Sequence, residues 1–334
     1  MLSKRELLAR TLEKTGLGPL LSQTTGRWQG LVVFNYHRLG NQTTSPFDRA
    51  LYSADQEIFE QQVQFLKKHY DVVRVADLEG VLHNRGRAVM ITFDDGYLDN
   101  YELAFPVLKQ HNVPATFFIT SGFLDGGPVA WWDEIAWMVR NSPASELPPV
   151  LHECPAVSLR DAPDREQAVK TLLRFYKSLP IDLTVPFLQR LASLTGRGRC
   201  PTALGRDVWM NWDMIREMDQ GGMDIGGHTV SHPVLSKTST AMQRQEIFGS
   251  KLRIEQEIGH TVEAFSYPVG QPDSFTEETK QILRDAGYRW AFSFSGGFSP
   301  TGHQDDFDLP RVAVSPHLSR DLFRSMARLP WLFA

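Results

Sequence analysis

The chain has 334 residues, 35 basic against 39 acidic for a formal charge of −4, with 42% hydrophobic and 22% charged side chains. This balance describes a folded globular chain and excludes a disordered one. The near-neutral charge, with no dense Lys/Arg stripe, excludes a nucleic-acid binder.

Cys154 and Cys200 are too few for a disulfide framework or a CxxC zinc site; two reduced thiols are expected, and a single disulfide stays open. The N-terminus, MLSKRELLARTLEKTG, is charged and has no apolar h-region, so no secretory signal is expected. Leu2, Leu7, Leu8 and Leu12 would line one side of a helix within an N-terminal helical segment over 1–30. No stretch approaches the length of a membrane span, and the apolar LPWLF at 329–333 is too short. The expected location is the cytoplasm, with a peripheral place at the inner membrane face as its variant. Composition carries no signal for oligomeric state.

From residue 31 onward short apolar runs alternate with helical patterns. LVVFN at 31–35 reads as a buried strand. A helix is predicted over 53–69, with Ser53 and Gln56 as a capping box. AVMITF at 88–93 is a strand, 99–110 a helix interrupted by Pro106, and ATFFI at 115–119 a strand. A helix over 213–219 ends at Gly221-Gly222, and 223–226 is a short strand. A long helix over 240–258 closes at Gly259, followed by a strand at 264–267. A helix over 274–286 carries a Ser274/Glu277 box, and 290–294 and 311–314 are the last strands. This alternation implies parallel strands in an α/β fold, and the number of units favours a barrel over an open sheet. The stretch 141–205 breaks the rhythm and reads as a helical insertion on a barrel spanning 31–334; its apolar content looks thin for a core of its own.

Polar residues fall at strand ends: Tyr36-His37, Asp94-Asp95, His228, and Tyr267-Pro268. In a parallel barrel all C-terminal strand ends share one face, and that face carries the active site. Two adjacent buried carboxylates disfavour joint ionisation unless a cation or hydrogen bonds compensate. The plainer reading is that one caps the following helix. His228 and His232 stand at i and i+4, which on a helical turn puts both rings on one face; a polar surface turn is the plainer reading. Two imidazoles and one carboxylate make a three-ligand hydrolytic metal site with an open position, and the second carboxylate then suits a general base.

TFDDG at 92–96 and HTVSHP at 228–233 resemble the first two motifs of the polysaccharide deacetylases, the NodB-homology or carbohydrate esterase four family. YHRL at 36–39 and NWDMIREM leading into GGMDIGGHTVSHPVLS are similar to segments of the same family. The resemblance implies a distorted, TIM-like (β/α)7 barrel. It implies Asp94 as base and Asp95, His228 and His232 as ligands of a divalent metal, Zn2+ first, with Co2+, Ni2+ or Mn2+ as alternatives. The family's Arg-x-Pro-Tyr motif is matched by FSYPVG at 265–270, where Ser266 replaces the Arg. Arg311, in LPRV, resembles an Arg near the end of related bacterial chains and is the expected substitute. His317 is the candidate general acid and His37 an alternative donor. His37, Tyr267, Arg311 and Trp132 are the expected substrate-side residues, with Trp132 stacking on a sugar face.

The implied activity is metal-dependent hydrolysis of acetyl groups from a carbohydrate, N-acetyl favoured over O-acetyl. Two other readings stand beside it: a catalytically degenerate carbohydrate-binding protein, and a metal-independent cyclic-amide hydrolase on the same barrel. The sequence names neither the sugar nor its length.

Overall fold

The computed structural model describes residues 3–24, 28–83, 86–303 and 305–334. Seven parallel strands form its centre: β1 (Gly30–Tyr36), β2 (Arg87–Phe93), β3 (Thr116–Ile119), β4 (Asp224–Gly227), β5 (Ala264–Ser266), β6 (Trp290–Phe292) and β7 (Arg311–Ala313). In space they run β7-β1-β2-β3-β4-β5-β6. The result is a distorted (β/α)7 barrel, as the family resemblance implies.

The β1–β2 pairing is long and regular, from Gly30↔Arg87 to Tyr36↔Phe93. Every residue of β1 is buried, as a strand covered on both faces requires. Its side chains alternate: Leu31 and Val33 join Met90, Phe118 and Phe292 in an inner cluster, while Val32 and Phe34 pack outward with the helices. The distortion has local causes. A Cβ on Gly227 would lie 2.2 Å from the Tyr288 hydroxyl, so only glycine lets this strand pass the ring. Between β4 and β5 the only registered pair among the described residues is Phe265↔Gly227. The barrel closes between β6 and β7 through the parallel bridge Phe292↔Leu309.

Several helix starts differ from the sequence reading. The helix expected from 53 begins at Gln56, because the Asp55 carboxylate takes the Ile58 N–H at 2.7 Å. Ser53 instead sits in a short strand, and its hydroxyl accepts the His37 N–H at 3.1 Å. The helix expected from 274 spans Glu277–Asp285 and is boxed by Thr276 and Thr279; the Ser274 hydroxyl turns to the Gln271 carbonyl. The 99–110 stretch opens as a π-turn, Asn100–Ala104, before an α-helix, Phe105–His111. Pro106 then stands in the first α-turn, where its missing N–H costs nothing.

The 141–205 stretch holds helices Ala162–Ser178 and Ile181–Thr195 and a two-stranded hairpin, Glu146–Leu147 with Val157–Ser158. Its Val169, Leu172, Phe187 and Leu191 are buried in one cluster with Ile135 and Val139 of helix Trp131–Asn141, and that cluster is continuous with the barrel's outer core. The apolar content that looks thin for a separate core is enough for a shared one.

The N-terminal helices Lys4–Lys14 and Leu17–Thr24 pack on helix Arg320–Arg328. Leu12 is buried there while Leu7 and Leu8 face out, so these leucines do not form one packed stripe; Leu2 lies outside the described residues. Cys154 and Cys200 are buried and free. Among the described residues no helix is long and apolar enough to cross a membrane.

Candidate active site

A cavity of about 300 Å3 opens at the C-terminal ends of the barrel strands, with Asp94, Asp95, His228, His232, His37 and Arg311 in its wall. They arrive from four strands: His37 after β1, Asp94 and Asp95 after β2, His228 and His232 after β4, and Arg311 on β7.

Asp94 follows β2 and is buried. Arg311 grips it at both oxygens, Nη1 to Oδ1 and Nη2 to Oδ2, each at 2.8 Å. The guanidinium is itself fixed: Nε donates to the Ser293 carbonyl at 3.0 Å, Nη1 to Asn35 Oδ1 at 2.9 Å, and Nη2 to Ser266 Oγ at 2.8 Å. Ser266 Oγ and Asn35 Nδ2 also donate to Asp94 Oδ2, at 3.3 and 3.2 Å. Arg311 lies level with Val33, in the middle of β1, so its long side chain rises through the barrel to reach Asp94. Burial pushes the Asp94 carboxyl up, but Arg311 and His228 outweigh it and hold the group below the usual carboxylate range.

Asp95, His228 and His232 form a second unit. Their ligand atoms lie within 4.8 Å of one another. Asp95 Oδ1 is 3.5 Å from Nε2 of each histidine, too far for good hydrogen bonds, and it is buried with no hydrogen-bond partner. A buried acceptor left unmade is costly, and a divalent cation between these three atoms would satisfy it. The donor set therefore fits a metal. His228 Nδ1 donates to the Ser266 carbonyl at 2.7 Å, which directs Nε2 toward Asp95, the second-sphere arrangement of metal-binding histidines. Burial, then the neighbouring His228, pushes the His232 imidazole down to about 3, leaving it neutral.

The HTVSH segment is not the helical turn its spacing suggests. It is a loop with Thr229 at φ +66° and His232 at φ +57°. Glu246 holds it by accepting the N–H groups of Val230 and Ser231 at 2.8 Å and the Ser231 hydroxyl at 2.5 Å. The Thr229 hydroxyl accepts the His232 N–H at 3.0 Å. The rings still meet, with centroids 4.7 Å apart. Asp95 is left-handed too, at φ +79°; strained non-glycine residues thus mark two of the three candidate ligand positions.

The remaining expected residues divide. His37 is in the wall, its Nε2 4.0 Å from Asp94 Oδ2. His317 is exposed and lies outside the cavity wall. The Tyr267 hydroxyl donates to the Phe307 carbonyl at 2.8 Å, and its ring stacks on Phe275. Trp132 is 4% exposed, with its indole N–H on the Tyr97 hydroxyl at 2.7 Å and its ring edge-on to His232. Its neighbour Trp131 is half-buried at the cavity wall, donating to the His232 carbonyl at 3.2 Å. The hydrogen-bond donors of Arg311 are spent on the base and its surroundings. The sequence reading passes over Asn35, Glu246 and the insertion's Lys177, which reaches the cavity wall. Only Asn35, a polar residue ending a buried apolar run, carries a signal.

The polysaccharide deacetylase family model matches residues 83–143 and 201–291, and the gap between the blocks covers most of the helical insertion. YxkH of Bacillus subtilis, described as a polysaccharide deacetylase, is 23% identical over 71% of this chain and 55% of its own length. Poly-beta-1,6-N-acetyl-D-glucosamine N-deacetylases of Staphylococcus aureus are 32% identical over 27% of this chain and 36% of theirs. The chain thus spans little more than half of the one relative and about a third of the others. Among solved structures, the deacetylase PplD of Streptococcus pyogenes superposes with a TM-score of 0.59 at 18% identity, covering 90% of this chain and 99% of that one. IcaB of Ammonifex degensii gives 0.56 at 21% identity, covering 92% and 98%. The fold is shared with these proteins, and over 83–143 and 201–291 the chain carries the sequence of the polysaccharide deacetylase family.

Proposed function

We propose that the protein is a divalent-metal-dependent deacetylase that releases acetyl groups from a carbohydrate, N-acetyl in preference to O-acetyl. One observation carries this reading. A buried carboxylate locked by Arg311 stands beside an unsatisfied Asp95–His228–His232 cluster in one cavity. The activity of the staphylococcal relatives supports an N-acetylated amino-sugar polymer as the substrate class.

A cation on Asp95, His228 and His232, Zn2+ before Co2+, Ni2+ or Mn2+, would supply Lewis-acid activation of water and of the acetyl carbonyl. Asp94, kept ionised by Arg311, accepts the proton of the attacking water. The bidentate grip fixes both oxygens, so the base meets that water in one orientation. His37, in the cavity wall with its Nε2 4.0 Å from Asp94 Oδ2, would return a proton to the leaving nitrogen; an amide needs that proton because an amine anion does not leave, and an ester needs it less. Both Trp131 and Trp132 line the cavity, and Trp131, the less buried of the two, would meet a sugar ring.

The reading as a degenerate binding protein starts from the missing Arg at position 266. The grip of Arg311 on Asp94 from another strand weighs against that ground, and the unassigned general acid is the second ground for this reading. Acetate release from a panel of N- and O-acetylated oligosaccharides, with and without a chelator, tests the proposal. Chelator-sensitive release, greater from N-acetyl substrates, is expected; no release from any member with any of the four metals would return the binding-only reading.

A further inference from the structure

The outer layer built by helices Lys4–Lys14, Leu17–Thr24, Arg320–Arg328 and the turn Pro330–Phe333 has no part in the proposed chemistry. Its pieces are tied together. Arg5 donates to the Phe333 carbonyl, Glu13 pairs with Arg328, and the Trp28 indole donates to the Ala327 carbonyl at 3.1 Å.

Two properties set this layer apart. The first is exposed apolar surface. Of the twelve most exposed large apolar side chains among the described residues, six belong to it: Leu7, Leu8, Leu17, Leu20, Trp331 and Leu332, each between 44% and 58% exposed. On the first helix Leu7 and Leu8 share a face with Lys4, Thr11 and Lys14, all exposed. The second is charge. Within 3–24 and 318–334 there are seven Lys or Arg against three acidic residues, in a chain whose net charge is −4. Arg320, Arg324 and Arg328 recur every four residues and so form a stripe on their helix. Arg324 and Arg328 lie over the Phe65 ring, and their charge, with that of Lys68 and Arg87, adds to burial in pushing the His69 imidazole down. The basic field therefore extends from the terminal layer onto the neighbouring helix Gln56–His69.

Leucines and a tryptophan amid lysines and arginines are the composition of a helical face that lies in a lipid headgroup region. The apolar groups enter the boundary and the cations meet lipid phosphates. A protein partner would have to match one shape, whereas a bilayer needs only apolar area and opposite charge. We propose that this layer docks the protein on an anionic lipid bilayer, with Leu7, Leu8, Trp331 and Leu332 entering the interface and Lys4, Lys14, Arg320 and Arg324 meeting the phosphates, Arg328 being held by Glu13. The proposal does not depend on the deacetylase reading.

Flotation of the full chain with phosphatidylcholine vesicles, with and without phosphatidylglycerol, tests it. The chain should float with the anionic vesicles at low salt, lose binding as salt is raised, and ignore phosphatidylcholine alone. Arg320→Glu with Arg324→Glu, and separately Leu7→Glu with Leu8→Glu, should each lower the bound fraction roughly tenfold or more. Trp331→Ala, a milder change at an exposed site, should lower it less, and the circular dichroism of all three should match wild type. Failure to float with anionic vesicles would overturn the proposal, and so would variants that bind like wild type. A wild-type dimer in sedimentation, dissociated by Leu7→Glu with Leu8→Glu and unaffected by vesicles, would assign the face to a second copy of the chain instead.

Discussion

Arg311 and Asp94, 217 positions apart in the chain, are joined by two parallel hydrogen bonds of 2.8 Å and are both buried. Ser266, which stands where the family's motif places an arginine, donates to Asp94 and accepts from Arg311. An arginine from β7 thus holds Asp94, and Ser266, at the end of β5, hydrogen-bonds to both.

Removing that arginine leaves a buried charge without a partner. Arg311→Met should destabilise the fold by about 3–5 kcal/mol, read by chemical denaturation. Arg311→Lys keeps the charge and loses the two-point grip. It should fold with a smaller loss and still lower kcat by roughly 100-fold, because the base is no longer held in one orientation.

Of the two histidines considered as proton donor, His37 is in the cavity wall and His317 lies outside it. His37→Asn should lower kcat on an N-acetyl substrate by roughly 100-fold or more and affect an O-acetyl ester far less. His317→Ala should leave both rates unchanged, since that side chain is exposed and outside the cavity wall. Parallel rate measurements on the matched amide and ester check this; equal losses on both substrates would remove His37 from the donor role.

Glu246 holds the histidine loop through two backbone N–H groups and one hydroxyl. Glu246→Ala leaves those donors without their acceptor. It should cost about 2 kcal/mol of stability and weaken metal binding, because the strained His232 backbone loses its support. Glu246→Gln retains one acceptor oxygen and should lie between. Metal titration followed by calorimetry reads both effects.

Asp133 supplies a pH dependence away from the metal ligands. Burial pushes its carboxyl up to about 7 against the opposing Arg38 charge, while its oxygens accept from the Asp48 N–H and the Tyr97 hydroxyl. The folded state therefore holds a proton that the unfolded chain releases near the ordinary carboxylate value. The resulting stability is present at low pH and lost as pH rises through about 7. Asp133→Asn cannot titrate, so its melting temperature relative to wild type should rise as pH is taken from 4 to 8. A constant difference across that range would contradict the assignment.

The strand ends are legible in the sequence because apolar runs of β-formers stop at polar pairs, as at Phe93-Asp94, and such stops share one face of a parallel barrel. The Asp95–His228–His232 cluster is legible as spacing, although the HTVSH geometry is not: nothing local announces that Glu246, on a later helix, will hold a left-handed loop in place of a helical turn. Arg311 is visible as a motif fragment, yet its bond to Asp94 depends on a register between β1 and β7 set by the whole barrel. Trp131 and Trp132 are indistinguishable in sequence, and which one is covered is decided by how their helix packs against the Tyr97 hydroxyl and His232. Helix starts shift wherever two capping residues compete within three positions, as at Ser53 and Asp55.

The central claim is a division of labour between Asp94 and the Asp95–His228–His232 cluster. The measurement that tests it most directly is metal content together with acetate release for wild type, Asp94→Asn and His228→Ala. The account predicts about one metal per chain in wild type. Asp94→Asn should keep that metal and lose turnover, and His228→Ala should lose both. A wild type that releases acetate with no bound metal, or an Asp94→Asn variant that turns over at the wild-type rate, would contradict it.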